Sequence, residues 1–303
     1  MDHDHHRHEH GAIDYGRAFA IGIALNLAYV AAEAIAGVLS HSLALLADAG
    51  HNLSDVLGLS LSWGAAVLSR RGPSGRFTYG LKSSSILAAL TNAVILLIVT
   101  GGIAWEAVLR FANPVAVDSR VMVWVAVAGI AVNGGTALLF ASGSARDLNI
   151  KSAFLHMAGD ALVTAGVVVA GILIAVTGWL WLDPAVSLVV SAVIVLGTWG
   201  LLRSATGLAL AAVPDGVDPA AVRAHLLALP GVTALHDLHI WGMSTTETAL
   251  TCHLVMPDGH PGDAVLNTLA EQLHADFGIA HATIQIELAD SDEICALTPE
   301  HVV

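Results

Sequence analysis

The stretch LALLADAGHNLSDVLGL, residues 43–59, is apolar enough to lie in lipid, yet it carries two aspartates and a histidine. An acidic side chain at mid-bilayer costs roughly 2.5–3.5 kcal/mol, so one that stays there has a partner or a task. His51 precedes Asp55 by four residues, and on a helix such positions share a face with Cβ atoms about 5–6 Å apart. The pair can offer one imidazole and one carboxylate to a common point. The same spacing returns in AFLHMAGDA, residues 153–161, where His156 precedes Asp160 by four. Two such helices facing each other supply four ligands, the number a tetrahedral zinc site takes. Buried His–Asp hydrogen bonds between helices are the competing reading. Against it, only two histidines lie deep in apolar sequence, and both carry the spacing.

Outward from these two stretches, six apolar runs reach the roughly 20 residues that a membrane-spanning helix needs. They fall near residues 15–39, 43–68, 84–109, 120–142, 152–178 and 184–210. An even number of spans puts both termini on one side. Arg70, Arg71, Arg76, Lys82, Arg146, Lys151 and Arg203 flank that side, and only Arg110 and Arg120 flank the other. By the positive-inside rule both termini are expected in the cytoplasm. Composition agrees: 55% of the 303 residues are hydrophobic and 12% charged, against about a quarter charged in a soluble domain. Asp183-Pro184 reads as a helix N-cap followed by proline, not as a ligand.

After Pro214 the pattern changes. Residues 218–228 and 262–277 read as helices, and residues 232–241, 247–256 and 281–288 alternate as strands do. An αββαβ order predicts a small α+β domain with its helices on one sheet face. The expected organisation is a tail over 1–14, a six-helix transmembrane domain over 15–213, the α+β domain over 214–290 and a tail over 291–303. The segment from 214 onward holds 13 of the 25 acidic residues and one basic residue, Arg223. That balance excludes nucleic acid as a partner and suits cations. Cys252 and Cys295 match no disulfide or zinc-knuckle spacing and read as reduced thiols.

Four acids lie well inside the expected spans: Glu33, Asp48, Asp55 and Asp160. No lysine or arginine lies at comparable depth, so a metal cation or protons must neutralise them. Nitrogen and oxygen donors together favour zinc, with cobalt and cadmium next. Imidazole must be neutral to bind metal, and its reference pKa near 6.5 lies close to cytoplasmic pH. Metal arrival therefore expels protons, and protons from outside expel metal. Metal–proton antiport follows without a nucleotide; the chain has no Walker motif, no organic-cofactor signature and no HExxH of a metalloenzyme. Asp48, three residues before His51, reads as an outer orienting group or a proton carrier. Asn26, Glu33, Asn92 and Asn133 read as bonds between helices.

At these motifs the chain resembles the cation diffusion facilitator family, in particular its bacterial zinc, cobalt and cadmium efflux branch. The likeness is carried by residues 42–59, 76–80 with 86–93, 153–161, 183–187 and His236–Trp241 (HDLHIW). It implies a homodimer in the bacterial inner membrane, six helices per subunit, a ferredoxin-like cytoplasmic domain for metal binding and dimerisation, and antiport by alternating access. It implies transport ligands at His51, Asp55, His156 and Asp160. It also implies a regulatory metal site on the cytoplasmic domain, using His236, His253, His281 and Glu287. Many relatives carry arginine and glutamate where this chain has Ser83 and Ser85, and residues 69–81 hold no histidine or aspartate for a loop site. The five histidines between His3 and His10 read as a weak metal collector.

Overall fold

A computed structural model describes residues 15–69, 71–141, 148–288, 295 and 297–298. Within its helices, the side chains of residues 15–25, 55, 59, 62, 63, 66, 69, 136, 139–141, 148–154 and 156 are outside that description. The histidine-rich segment 1–14 lies outside it as well.

Six long helices come first: α1 (Tyr15–Ser40), α2 (Leu43–Ser69), α3 (Ser84–Ala112), α4 (Ser119–Ala141), α5 (Leu148–Thr177) and α6 (Leu182–Ala209). Each coincides with one of the apolar runs to within a few residues. Among the described residues, Ser84–Ala112, Met157–Thr177 and Leu182–Ala209 are long and apolar enough to cross a membrane. Apolar side chains such as Leu138, Leu162, Val176 and Leu196 stand more than 70% exposed on these helices. Such exposure suits lipid rather than water.

The chain divides into two compact units, Met1–Leu57 with Leu96–Val195 and Gly58–Ile95 with Leu196–Val303. In the first, α4 packs lengthwise on α5, and α1 packs on α4. Small residues let the backbones approach, as lipid-embedded packing requires. Gly129 on α4 shows why: a Cβ there would run into the Tyr29 hydroxyl of α1. Ala44, Leu45, Met122, Ala126 and Val167 fill the interior between α2, α4 and α5.

Asp183 is a cap, but of another helix. It lies in the first turn of α6, fully buried, and reaches across to the start of α2. There it accepts from Ser42 Oγ (2.6 Å) and from the backbone N–H of Leu43 (2.8 Å) and Ala44 (3.2 Å). These are two of the orphan donors at a helix N-terminus, where negative charge is favoured. The Arg110 guanidinium, 3.8 Å from Asp183 Oδ2, neutralises the carboxylate and donates to the His41 carbonyl.

The second unit holds the α+β element. It runs α7 (Pro219–Leu227), β1 (Ala234–Gly242), β2 (Thr248–Val255), α8 (Asp263–Phe277) and β3 (Ile279–Glu287), the αββαβ order read from the sequence. Asp218 caps α7 by accepting from Ala220 N at 2.9 Å, and Gly278, at φ 69°, ends α8 in the left-handed conformation glycine tolerates. The sheet order is β1-β2-β3, with β1–β2 antiparallel and β2–β3 parallel across α8. Leu250, Cys252 and Leu254 of β2 point into the core with Leu226 of α7 and Leu269 and Leu273 of α8. The alternate residues, Thr251, His253 and Val255, therefore face the side without helices. Burial pushes the Cys252 thiol up to about 12, with the Asp237 carboxylate adding to the shift.

Within this unit, residues 82–85 bind the β1–β2 turn. Lys82 pairs with Glu247, Ser83 Oγ donates to the Met243 carbonyl (3.2 Å), and Thr245 N donates to Ser85 Oγ (3.1 Å). The two serines that replace the charged pair of many relatives are thus both engaged.

Candidate metal centres

The first candidate lies between α2 and α5. His51 Nε2 is 3.0 Å from Asp160 Oδ1, so an imidazole from one helix and a carboxylate from the other meet 109 residues apart in sequence. Asp160 is 5% exposed. Asp55 and His156 sit in the same two helices, four residues from His51 and Asp160, and their side chains lie outside the described residues.

Around this meeting point the buried polar groups are linked. The Thr164 hydroxyl of α5 lies 2.8 Å from Asp48 Oδ2 of α2 and 2.9 Å from the Asp160 carbonyl, and can donate to either. Glu33 of α1 accepts from Tyr29 OH (2.8 Å) and from Asn52 Nδ2 of α2 (3.1 Å). Glu33 is thus a bond between helices, as read from the sequence, and Asp48 is bound to α5. Asn52 is the residue after His51, so the Glu33 contact also fixes the turn of α2 that presents that imidazole.

The second candidate lies on the helix-free face of the sheet. His236 of β1 is paired with His253 of β2, their rings 5.0 Å apart. Directly opposite residues on an antiparallel pair share a face, which explains the contact. His253 Nδ1 is 2.7 Å from Glu287 Oε1 at the end of β3, and His236 Nε2 is 3.3 Å from Glu287 Oε2. Partial burial pulls the Glu287 carboxyl upward. Hydrogen bonds from the Cys295 thiol and His253, with both imidazoles nearby, outweigh it and hold the group below its usual range.

His281 does not join this group. It faces the same side of the sheet but lies six residues before Glu287 on β3, about 20 Å at 3.3 Å per residue. Its ring instead meets Tyr79 edge-on at 5.6 Å. Cys295 arrives in its place, Sγ 3.6 Å from His253 Nδ1. Donor atoms of His236, His253, Glu287 and Cys295 all lie within 4.8 Å of one another.

Asp237 is a further neighbour that the alternation pattern conceals. The register passes from His236↔His253 to His239↔Thr251, so two residues of β1 oppose one of β2. Asp237 takes φ 51° at this bulge, a conformation that aspartate tolerates better than most residues. Its carboxylate lies 2.8 Å from His239 Nε2 and 3.6 Å from His253 Nε2.

Comparison with known proteins covers both parts of the chain. Residues 19–208 match the model of the cation efflux transmembrane domain, and residues 214–289 match that of the cation efflux protein cytoplasmic domain. The chain is 37% identical over 289 residues to the cation efflux system protein CzcD of Alcaligenes sp. (strain CT14), covering 95% of this chain and 91% of that protein. It is 36% identical over 271 residues to the zinc transporter ZitB of Escherichia coli (strain K12), covering 89% and 86%. It is 34% identical over 289 residues to the cadmium, cobalt and zinc/H(+)-K(+) antiporter of Bacillus velezensis, covering 94% and 92%.

Proposed function

Because the chain belongs to the cation efflux family, whose members are transporters and not enzymes, we propose that it exports zinc from the cytoplasm in exchange for protons. The observation that carries this reading is the approach of His51 to Asp160 across α2 and α5. With Asp55 and His156, one helical turn away on each helix, as the other two ligands, the proposed donor set is two nitrogens and two oxygens, which suits zinc and accepts cadmium or cobalt. The relatives named as a zinc transporter and as a cadmium, cobalt and zinc antiporter support the same substrates.

All six long helices span the inner membrane in this reading, with both termini in the cytoplasm, as the flanking charges favour. A cytoplasmic zinc ion displaces the imidazole protons, the homodimer rearranges to open outward, and protons arriving from outside release the metal. Glu33, Asn52, Asp48 and Thr164 hold α1, α2 and α5 so that the ligands arrive together. On the ferredoxin-like cytoplasmic domain, His236, His253 and Glu287 bind a regulatory ion. The ion offsets the repulsion between two acidic domains in the dimer.

The test is zinc accumulation by inside-out vesicles with an acidic lumen. Uptake against the zinc gradient is expected, and Asp160→Ala abolishes it while the protein still elutes as a dimer. Equal uptake after the proton gradient is collapsed would replace the antiporter with a metal-gated channel.

A further inference from the structure

Resting on the reading that the sheet face binds a regulatory ion, the geometry points to Cys295 as that ion's fourth ligand and the residue that tunes the site toward thiophilic metals. The sequence gives this cysteine no motif. It lies eight residues past Glu287, beyond the last strand, yet its sulfur lies beside the paired histidines. A tetrahedral ion with bonds of ~2.0–2.3 Å separates its ligand atoms by roughly 3.3–3.8 Å. The four donor atoms lie within 4.8 Å of one another, so closure asks each to move by about an ångström.

A second observation on the same point is the state of His236. Its side chain is 9% exposed, and its Nε2 is buried without a hydrogen bond, directed at Glu287. A buried polar atom in that condition carries a free-energy cost, which the 3.3 Å contact with Glu287 offsets only in part. An ion between His236, His253, Glu287 and Cys295 would remove the cost.

The chemistry of the donor set gives the consequence. The membrane ligands proposed above are nitrogen and oxygen only, whereas the sheet site adds sulfur. Thiolate favours zinc and cadmium over manganese or magnesium. The regulatory site would then respond to softer ions than the transport site selects, so cadmium engages the sheet at concentrations at which harder ions do not.

The experiment titrates the full-length protein, in an Asp160→Ala background, with cadmium chloride. Ultraviolet thiolate-to-cadmium charge transfer and maleimide labelling are followed together. The chain has two cysteines, both outside the six long helices, so cadmium bound between those helices adds no thiolate signal. The expected result is a charge-transfer band that Cys295→Ser removes and Cys252→Ala keeps, with cadmium protecting Cys295 from maleimide. Cys295→Ser also weakens cadmium binding by at least about tenfold, the lower end of what loss of even an outer partner costs a metal site. Manganese binding changes little. A band that survives Cys295→Ser would overturn the assignment. If no band forms but His236→Ala still weakens cadmium binding, the thiol is excluded and the sheet site stands; if neither is seen, both fail.

Discussion

Asp183 is the sharpest place to separate structure from transport. Its fully buried side chain accepts three hydrogen bonds at the start of α2 and faces Arg110. Asp183→Ala removes an N-terminal cap, worth about 1 kcal/mol alone. It also leaves the buried Ser42 hydroxyl and the Leu43 and Ala44 N–H groups without their acceptor, about 1–3 kcal/mol for each that stays unpaired and about 3 kcal/mol or more in total, while Arg110 keeps Glu106 (3.3 Å) and the His41 carbonyl. For a chain of this size, 1 kcal/mol moves the melting temperature by about 2–4 °C, so the detergent-solubilised protein melts roughly 6 °C or more lower. Asp183→Asn keeps one acceptor and most of the volume and shows a smaller drop. Melting is followed by tryptophan fluorescence or by size exclusion after heating, with zinc uptake measured on the same preparations. An Asp183→Ala protein that melts like the parent but transports no zinc would refute the cap and make Asp183 a ligand.

Three further outcomes are expected. Gly129→Ala drives a methyl into the Tyr29 hydroxyl and disturbs the Tyr29–Glu33 bond, at about 1–3 kcal/mol; in a Tyr29→Phe background, which removes the hydroxyl but keeps the ring Cζ at 2.9 Å, part of that loss disappears, which a double-mutant melting cycle detects. Because its folded pKa is raised, Cys252 stabilises the fold fully below the unfolded thiol value near 8.5 and loses that contribution as pH rises toward about 12; Cys252→Ala therefore flattens the alkaline decline in melting temperature. Folded protein at pH 8 incorporates maleimide at Cys295 and not at Cys252, read by mass spectrometry, because Cys252 is 1% exposed.

The six long helices and the αββαβ order were legible because each rests on local signals: apolar length, alternation and turn residues. The meeting of His51 and Asp160 was legible for a different reason, since polar groups within an apolar helix each require a partner. Asp183 marks the limit of such reasoning. An Asp-Pro pair announces that a helix terminus is capped, but nothing local says that the terminus belongs to α2. The cytoplasmic centre shows another limit. His236, His253 and Glu287 followed from adjacent strands and the family likeness, but His281 required counting rise along β3, which separates it from Glu287. Cys295 lies past the last periodic segment, where no spacing rule reaches. Asp237 was hidden by the assumption that β1 alternates without interruption.

That interruption decides which side of the sheet the histidines of β1 face. Histidines three apart on an unbroken strand point in opposite directions, so HDLH would send one ring into the oily interior. The extra residue shifts the phase by one step, keeping His236 and His239 on the same side and returning Ile240 to the core. Pairing the same residues without the bulge would turn Ile240 outward and Trp241 inward, and deleting Leu238 would keep Ile240 inside only by sending the Asp237 carboxylate into the core opposite Cys252. A tidier ladder would make a worse protein, and the misfit is what lets a single short strand serve a greasy interior and a face that carries both histidines.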